Sequence, residues 1–131
     1  IIYIPAQILG CLLGVMLANV FFEHDILELS TKNRDGFHIF LSEIIATFGL
    51  IFIIFATQKD GKITIAASVA TYIMAGYWFT SSTSFANPAV AIARTFTDSF
   101  TGINYLNTPT YILAEFLGAL IAVYFIKKLI K

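Results

Sequence analysis

Residues 84–94 read Ser84-Phe85-Ala86-Asn87-Pro88-Ala89-Val90-Ala91-Ile92-Ala93-Arg94. Asn is a preferred N-cap because its side-chain oxygen accepts a backbone N–H of the first helical turn. Pro is tolerated at the first helical position because its missing N–H would have no partner there. Asn87-Pro88 therefore predicts the start of a helix, which we expect to run over about residues 88–99.

The predicted helix is too short to cross a membrane. About twelve residues at about 1.5 Å per residue cover about half of the hydrocarbon core. It follows a long apolar segment, residues 63–80, and it precedes a stretch rich in polar residues, 98–107. A short helix with a polar start among long apolar helices is typical of a re-entrant segment. Lipid tolerates such a segment only where its irregular backbone lines a protein-walled cavity.

The composition indicates a membrane protein. Of the 131 residues, 58% are hydrophobic and 12% are charged, whereas soluble domains have about 25% charged residues. The long apolar segments predict four transmembrane helices, at about residues 1–22, 38–57, 63–80 and 110–128. The formal net charge is zero, so nothing in it indicates nucleic-acid binding. We expect one all-α domain in contact with the lipid bilayer.

The charged residues between the apolar segments predict the orientation of the chain. The turn at residues 58–62 and the C-terminal end together contain five Lys, whereas the loop at residues 23–37 has two basic and four acidic residues. Basic residues are enriched on the cytoplasmic side of a membrane. We therefore expect a multi-pass protein of the inner membrane with its C-terminus in the cytoplasm.

Residues 3–15 and 111–123 form an internal repeat. They align without gaps, and seven of the thirteen aligned positions are identical. Two related helices three spans apart cross the membrane in opposite directions, which makes this an inverted repeat with its site expected at the repeat interface. In the first copy, Gly10 and Gly14 form a Gly-x-x-x-Gly pattern, which lets another helix approach closely.

Several segments resemble the aquaporin (major intrinsic protein) family. Asn87-Pro88-Ala89 at the start of a half-helix resembles the second of that family's two such boxes. Three other segments are similar to family helices three, four and six: Tyr3-Ile4-Pro5-Ala6-Gln7-Ile8-Leu9-Gly10, Glu43-Ile44-Ile45-Ala46-Thr47-Phe48 and Tyr111-Ile112-Leu113-Ala114-Glu115. The resemblance implies a partial aquaporin-like helical bundle of four transmembrane helices plus one re-entrant half-helix. Family helices one and two have no counterpart here, which predicts a fragment or a truncated product.

This resemblance implies a channel for the passive transport of water or small uncharged solutes such as glycerol. Residues 83–90 and the later Arg94 are similar to a prokaryotic branch of the family that is associated with small neutral metalloid hydroxides. The family resemblance implies that Asn87, Pro88 and Ala89 line the pore. It also implies that the Glu43 carboxylate accepts hydrogen bonds from the backbone of the loop before the box. Because the family is tetrameric, we expect a homotetramer if the full-length protein is made.

The selectivity filter is expected to depart from the family pattern. Most members have Arg directly after the second box, where this chain has Val90. An ungapped match to the family gives Ala75, beside Gly76, and Ser84 as the other filter positions. These small residues imply a wide and less polar filter.

Arg94 lies one helical turn after Val90, and residues four apart share a face of a helix. We expect one of two arrangements for its side chain. Either the guanidinium reaches back toward the level of Val90 and partly replaces the missing filter arginine, or it reaches the outer interface or pairs with Asp98.

No residues suggest covalent chemistry, so we expect no enzyme, no cofactor and no metal site. His24 and His38 lack the spacing of metal ligands, and Cys11 lies in an apolar run. Two other classes stay open. One is a truncated, non-conducting remnant or a helical partner subunit. The other is a half-size secondary transporter, which would need a carboxylate on its central path; only Glu43 and Glu115 are available.

Overall fold

The computed structural model describes residues 2–129 as helices joined by loops. The α-helices are α1 (Tyr3–Phe21), α2 (Phe37–Thr57), α3 (Lys62–Phe79), α4 (Pro88–Ala93) and α5 (Thr108–Leu129), and a 3₁₀ turn, Arg94–Phe96, follows α4. About 70% of the structure is helical, and the part of the chain that it describes contains no strand. The predicted all-α fold is therefore confirmed.

Three helices are long and apolar enough to cross a membrane: α1, α2 and α5, with 19, 21 and 22 residues. The fourth predicted span forms as the 18-residue helix α3, which is not among them. Lys62 at its start and the hydroxyl groups of Ser68 and Thr71 reduce its apolar character. That α3 crosses the membrane stays a prediction.

Glycines set the starts of two helices. Gly36 precedes α2 with φ 107°, and Gly61 precedes α3 with φ 93°. A residue with a Cβ rarely adopts these angles, whereas Gly does so without steric cost. Each helix therefore begins directly after its glycine, one residue before the predicted positions 38 and 63.

The chain forms two compact units, and the first contains residues up to Asp35 together with Asn87–Ile112. In this unit α1 packs against α4 and against the 3₁₀ turn. Val15 and Asn19 are the buried residues of α1. The unit also contains the connection that follows α1, residues 22–35, which we call the long loop, and residues 97–107, which we call the exit segment.

The second unit contains Gly36–Ala86 together with the residues from Leu113 onward. Its helices α2 and α3 pack against each other. Gly118 of α5 lies against the carbonyl oxygen of Ile44 in α2, so closely that a Cβ would collide with that oxygen. Phe48 and Phe125 pack edge to face, with ring centroids 6.0 Å apart. Residues 80–86, which we call the entry loop, lead from α3 toward α4.

The half-helix is shorter than the sequence predicted. Instead of running over residues 88–99, the α-helix ends at Ala93 and a 3₁₀ turn ends at Phe96. The reason is competition for backbone carbonyls. The carbonyl of Arg94 accepts from the Ile103 N–H at 3.1 Å, and that of Thr95 accepts from the Ser30 N–H at 2.9 Å. Because tertiary partners bind these carbonyls, the helix does not continue.

Candidate functional site

The half-helix α4 begins at Asn87, which has an extended backbone with φ −158° and ψ 117°. Its side-chain Oδ1 accepts the Ala89 N–H at 2.9 Å, and Pro88 occupies the first helical turn. The Asn87 carbonyl accepts the Ala91 N–H at 3.0 Å. The N-terminus of α4 is thus defined by an Asn cap followed by Pro.

The entry loop is held by one buried carboxylate. Glu43 of α2 is fully buried, and its Oε1 accepts the Phe85 N–H at 3.0 Å. Its Oε2 accepts the Ala86 N–H at 2.9 Å. Burying a carboxylate is costly unless its oxygens are hydrogen-bonded. Here both oxygens bind backbone N–H groups directly before Asn87, so the carboxylate and the loop satisfy each other.

The entry loop also has an unusual backbone. Thr83, Ser84 and Ala86 have φ values of 68°, 53° and 49°. This left-handed region is uncommon for residues with a Cβ, and such conformations persist only where the surroundings impose them. The two N–H groups bound by Glu43 belong to this stretch. The Glu43 carboxylate therefore stabilises a left-handed backbone conformation that the residues of the entry loop do not favour by themselves.

Two of the predicted filter residues, Gly76 and Ser84, lie together. A Cβ on Gly76 would lie 2.5 Å from the Ser84 Oγ, so only Gly fits there. The Ser84 hydroxyl is buried and has no hydrogen-bond partner among residues 2–129. Ala75 is exposed and instead lines a separate cavity of about 450 Å³. The other residues that line this cavity are Ile53, Ala67, Ser68, Thr71 and Tyr72.

Val90 and Arg94 line a cavity of about 210 Å³ in the first unit. Part of its wall comes from α1, through Cys11 and Val15. The guanidinium Nη1 of Arg94 donates to the Thr101 Oγ1 at 2.5 Å. Sequence reasoning expected Arg94 to reach toward Val90, the outer interface or Asp98, and it did not identify Thr101 as a partner.

Sequence reasoning gave no role to Asn19 and treated Asp98 only as a partner for Arg94. Asn19 is 2% exposed, and its Nδ2 donates to the Phe96 carbonyl at 2.9 Å. Asp98 accepts from the Thr31 N–H at 2.8 Å and from the Ser30 hydroxyl at 3.3 Å. The Thr31 N–H is the main cause that lowers the pKa of Asp98 below its ordinary value. A lone Asn in an uncharged helix was the signal that could have indicated Asn19.

The N–H groups at the N-terminus of α4 favour negative charge and electron-rich atoms. Among residues 2–129, no group of three or more His, Cys, Asp or Glu side chains lies close enough to hold a metal ion.

The long apolar helices and the capped half-helix define an all-α membrane protein. No family model matches the chain, and no solved structure matches it. The sequence is similar to a curated protein, the aquaglyceroporin AqpS of Rhizobium meliloti (strain 1021). The two are 45% identical over 120 residues, which are 92% of this chain.

The chain therefore belongs to the aquaporin family, the major intrinsic proteins, as its sequence resemblance indicated. The match covers 52% of the relative, so the chain spans about half the length of the curated protein it matches.

Proposed function

We propose that the protein is a transmembrane channel for the passive transport of water and small uncharged solutes, and not an enzyme. The observation that supports this most is the half-helix start, where the Asn87 side chain caps the Ala89 N–H. The buried Glu43 carboxylate accepts the N–H groups of Phe85 and Ala86 in the loop before it. The similarity to an aquaglyceroporin supports the same class of function. The proposal includes the inner membrane, four spans, a cytoplasmic C-terminus and a homotetramer.

Selection against cations would begin at the N-terminus of α4. The N–H groups at a helix start carry partial positive charge, which repels cations and attracts the oxygen of a neutral solute. The Asn87 Oδ1 already accepts the Ala89 N–H, and the other polar group of the amide is an NH2, which only donates. In this proposal the NH2 of Asn87 donates to a solute oxygen as the solute passes.

The filter is proposed to be wide. Val90 is shorter than the Arg expected at this position and has no charge. It lines the same cavity as Arg94. A wide and weakly polar opening suits solutes larger than water, such as glycerol or uncharged metalloid hydroxides, and size together with lining polarity determines what a pore admits.

The composition of α3 also supports a water-filled path. Ser68, Thr71 and Tyr72 line the cavity of about 450 Å³ beside Ala75. Polar groups inside a membrane are costly when they face lipid, and they are typical of surfaces that face water or protein. Hydroxyl groups at this position would offer hydrogen bonds to water and to polyols.

Proteoliposomes that contain the protein, expressed from its whole coding sequence, test the proposal. Stopped-flow light scattering should show faster water and glycerol entry than in empty liposomes. Asn87→Asp keeps an oxygen that caps the helix but loses the NH2 donor, so we expect glycerol flux to fall about fivefold.

Asn104→Asp is the matched control, because the Oδ1 of Asn104 accepts the Leu106 N–H outside the site and Asp keeps that acceptor. This variant should retain the wild-type flux. Entry rates equal to those of empty liposomes for the folded wild-type protein would contradict a channel and favour a non-conducting membrane protein.

A further inference from the structure

The exit segment binds Arg94 at two points. The Ile103 N–H donates to the Arg94 carbonyl at 3.1 Å, and the Arg94 guanidinium donates to the Thr101 Oγ1 at 2.5 Å. Thr101 is only 4% exposed, whereas Arg94 is partly exposed and lines the cavity next to Val90. A buried hydroxyl thus binds the charged group of a residue that lines a cavity.

The Thr101 hydroxyl has a second partner within the exit segment. Its Oγ1 lies 3.2 Å from the Ser99 Oγ, and either hydroxyl of this pair can be the donor. The Gly102 N–H donates to the Ser99 carbonyl at 3.0 Å, which closes a tight turn around Thr101. A Cβ on Gly102 would collide with the Thr97 carbonyl oxygen, so the exit segment packs closely at this turn.

We infer that Thr101 is a positioning residue that sets the selectivity of the channel by holding the Arg94 guanidinium at the cavity beside Val90. This inference rests on the proposed channel function. A long Arg side chain has many rotamers. If the guanidinium moves among them, its repulsion of cations is not concentrated at one position. The hydrogen bond to Thr101 restricts this freedom at Nη1. Cation rejection then depends on a hydroxyl that the solute does not touch.

The first test measures the position of the guanidinium without any transport. Folded protein in detergent is treated with phenylglyoxal, which modifies accessible arginines, and modification of Arg94 is followed by peptide mass spectrometry. Thr101→Val keeps the side-chain shape but removes the acceptor, so Arg94 should react about tenfold faster. Thr101→Ser should react at the wild-type rate because it restores the oxygen.

Thr97→Val is the matched control. Thr97 is a buried threonine of the same segment, and its Oγ1 accepts the Ser99 N–H. Replacing it removes a buried hydroxyl from the exit segment and leaves the Thr101 oxygen in place. If Thr97→Val accelerates the modification of Arg94 as much as Thr101→Val does, the cause is a less stable exit segment and not the loss of the Thr101 acceptor. The inference is then wrong.

The second test measures selectivity in proteoliposomes as the ratio of proton leak to glycerol flux. Thr101→Val should raise this ratio about tenfold, toward the value of Arg94→Ala, and Thr101→Ser should restore the wild-type ratio. An unchanged ratio in Thr101→Val, with Arg94 nevertheless more reactive, would overturn the selectivity role. If the wild-type protein shows no glycerol flux, the proposed function fails, while the phenylglyoxal result still decides whether Thr101 positions Arg94.

Discussion

In the sequence, the entry loop precedes the half-helix and the exit segment follows it. The two segments are held by different kinds of contact. At the entry loop the one buried charge is Glu43, whose two oxygens accept the backbone N–H groups of residues 85 and 86. The exposed Ser81 adds hydrogen bonds to Ser42 and to the His38 carbonyl. Several separate contacts join the exit segment and the 3₁₀ turn before it to α1 and to the long loop. These include Asn19 to the Phe96 carbonyl, Asp98 to Ser30 and Thr31, and the Arg34 N–H to the Asn107 Oδ1.

This difference follows from the backbone on each side. The entry loop has three residues with left-handed φ, so its buried backbone N–H groups have no regular helix or strand partner and need another acceptor. One carboxylate supplies two strong acceptors. The exit segment instead lies beside the polar long loop, whose hydroxyl and backbone groups form hydrogen bonds with it. We therefore expect a single substitution to damage the entry side much more than the exit side.

The largest effect is expected from Glu43→Leu. Leu is apolar, and it would leave the buried Phe85 and Ala86 N–H groups without an acceptor, at a cost of about 1–3 kcal/mol for each group. Glu43→Gln keeps one side-chain oxygen and should cost less. Thermal unfolding in detergent, together with the yield of folded protein, should rank the variants as wild type, then Gln, then Leu.

Thr47→Val is the control for the same helix. Thr47 is buried and its Oγ1 has no hydrogen-bond partner among residues 2–129, so an apolar replacement of the same shape should be close to neutral. Equal stability of Glu43→Leu and Glu43→Gln would show that the carboxylate does not hold the entry loop, and the contrast between the two sides would disappear.

A smaller, pH-dependent effect is expected on the exit side. The pKa of Asp98 is lowered chiefly by the Thr31 N–H, with further hydrogen bonds from the Thr31 and Ser30 hydroxyls. A carboxylate whose pKa is lowered on folding contributes stability above its unfolded pKa, and this contribution is lost as the pH falls through the folded value. The advantage of the wild type over Asp98→Asn should be constant above about pH 5 and shrink below about pH 4.

Thermal unfolding of both proteins as a function of pH measures this advantage. Asn has nearly the same shape as Asp and keeps one acceptor, so the variant should fold and lose less stability than Glu43→Leu does. An advantage of the wild type that persists unchanged to pH 2 would contradict a role for the ionised carboxylate.

The start of the half-helix can be predicted from the sequence because capping is local chemistry. Asn87 and Pro88 act on their own turn, and the structure has both in those roles. The contact of Glu43 with residues 85 and 86 joins positions far apart in the chain. No local pattern contains it, and only the family resemblance indicated it.

The end of the half-helix could not be predicted, because it depends on partners elsewhere in the chain. The residues after Ala93 contain no Gly or Pro before position 102, so no local signal stops the helix there. It ends because the Ser30 N–H and the Ile103 N–H bind carbonyls of the following turn. The contact between Arg94 and Thr101 also forms because the exit segment folds back onto the 3₁₀ turn.

The internal repeat shows a second limit of sequence reasoning. Gly10 and Gly118 are equivalent in the alignment of residues 3–15 with 111–123. Gly118 lies against the Ile44 carbonyl of α2, whereas no other described element comes within 4 Å of a Cβ placed on Gly10. The repeat predicts two similar helices correctly, but burial depends on which other helices are present.

Cysteine accessibility tests most directly whether the face of α4 with Val90 lines a solute path. Val90→Cys is made in the protein expressed from its whole coding sequence, with Cys11→Ser because Cys11 lines the same cavity. Ala91→Cys is the control, since Ala91 is fully buried. We predict that a water-soluble thiol reagent modifies Val90→Cys in proteoliposomes and blocks glycerol flux, while Ala91→Cys reacts far more slowly. Modification of Val90→Cys without any loss of glycerol flux, or no modification at all, would contradict the account.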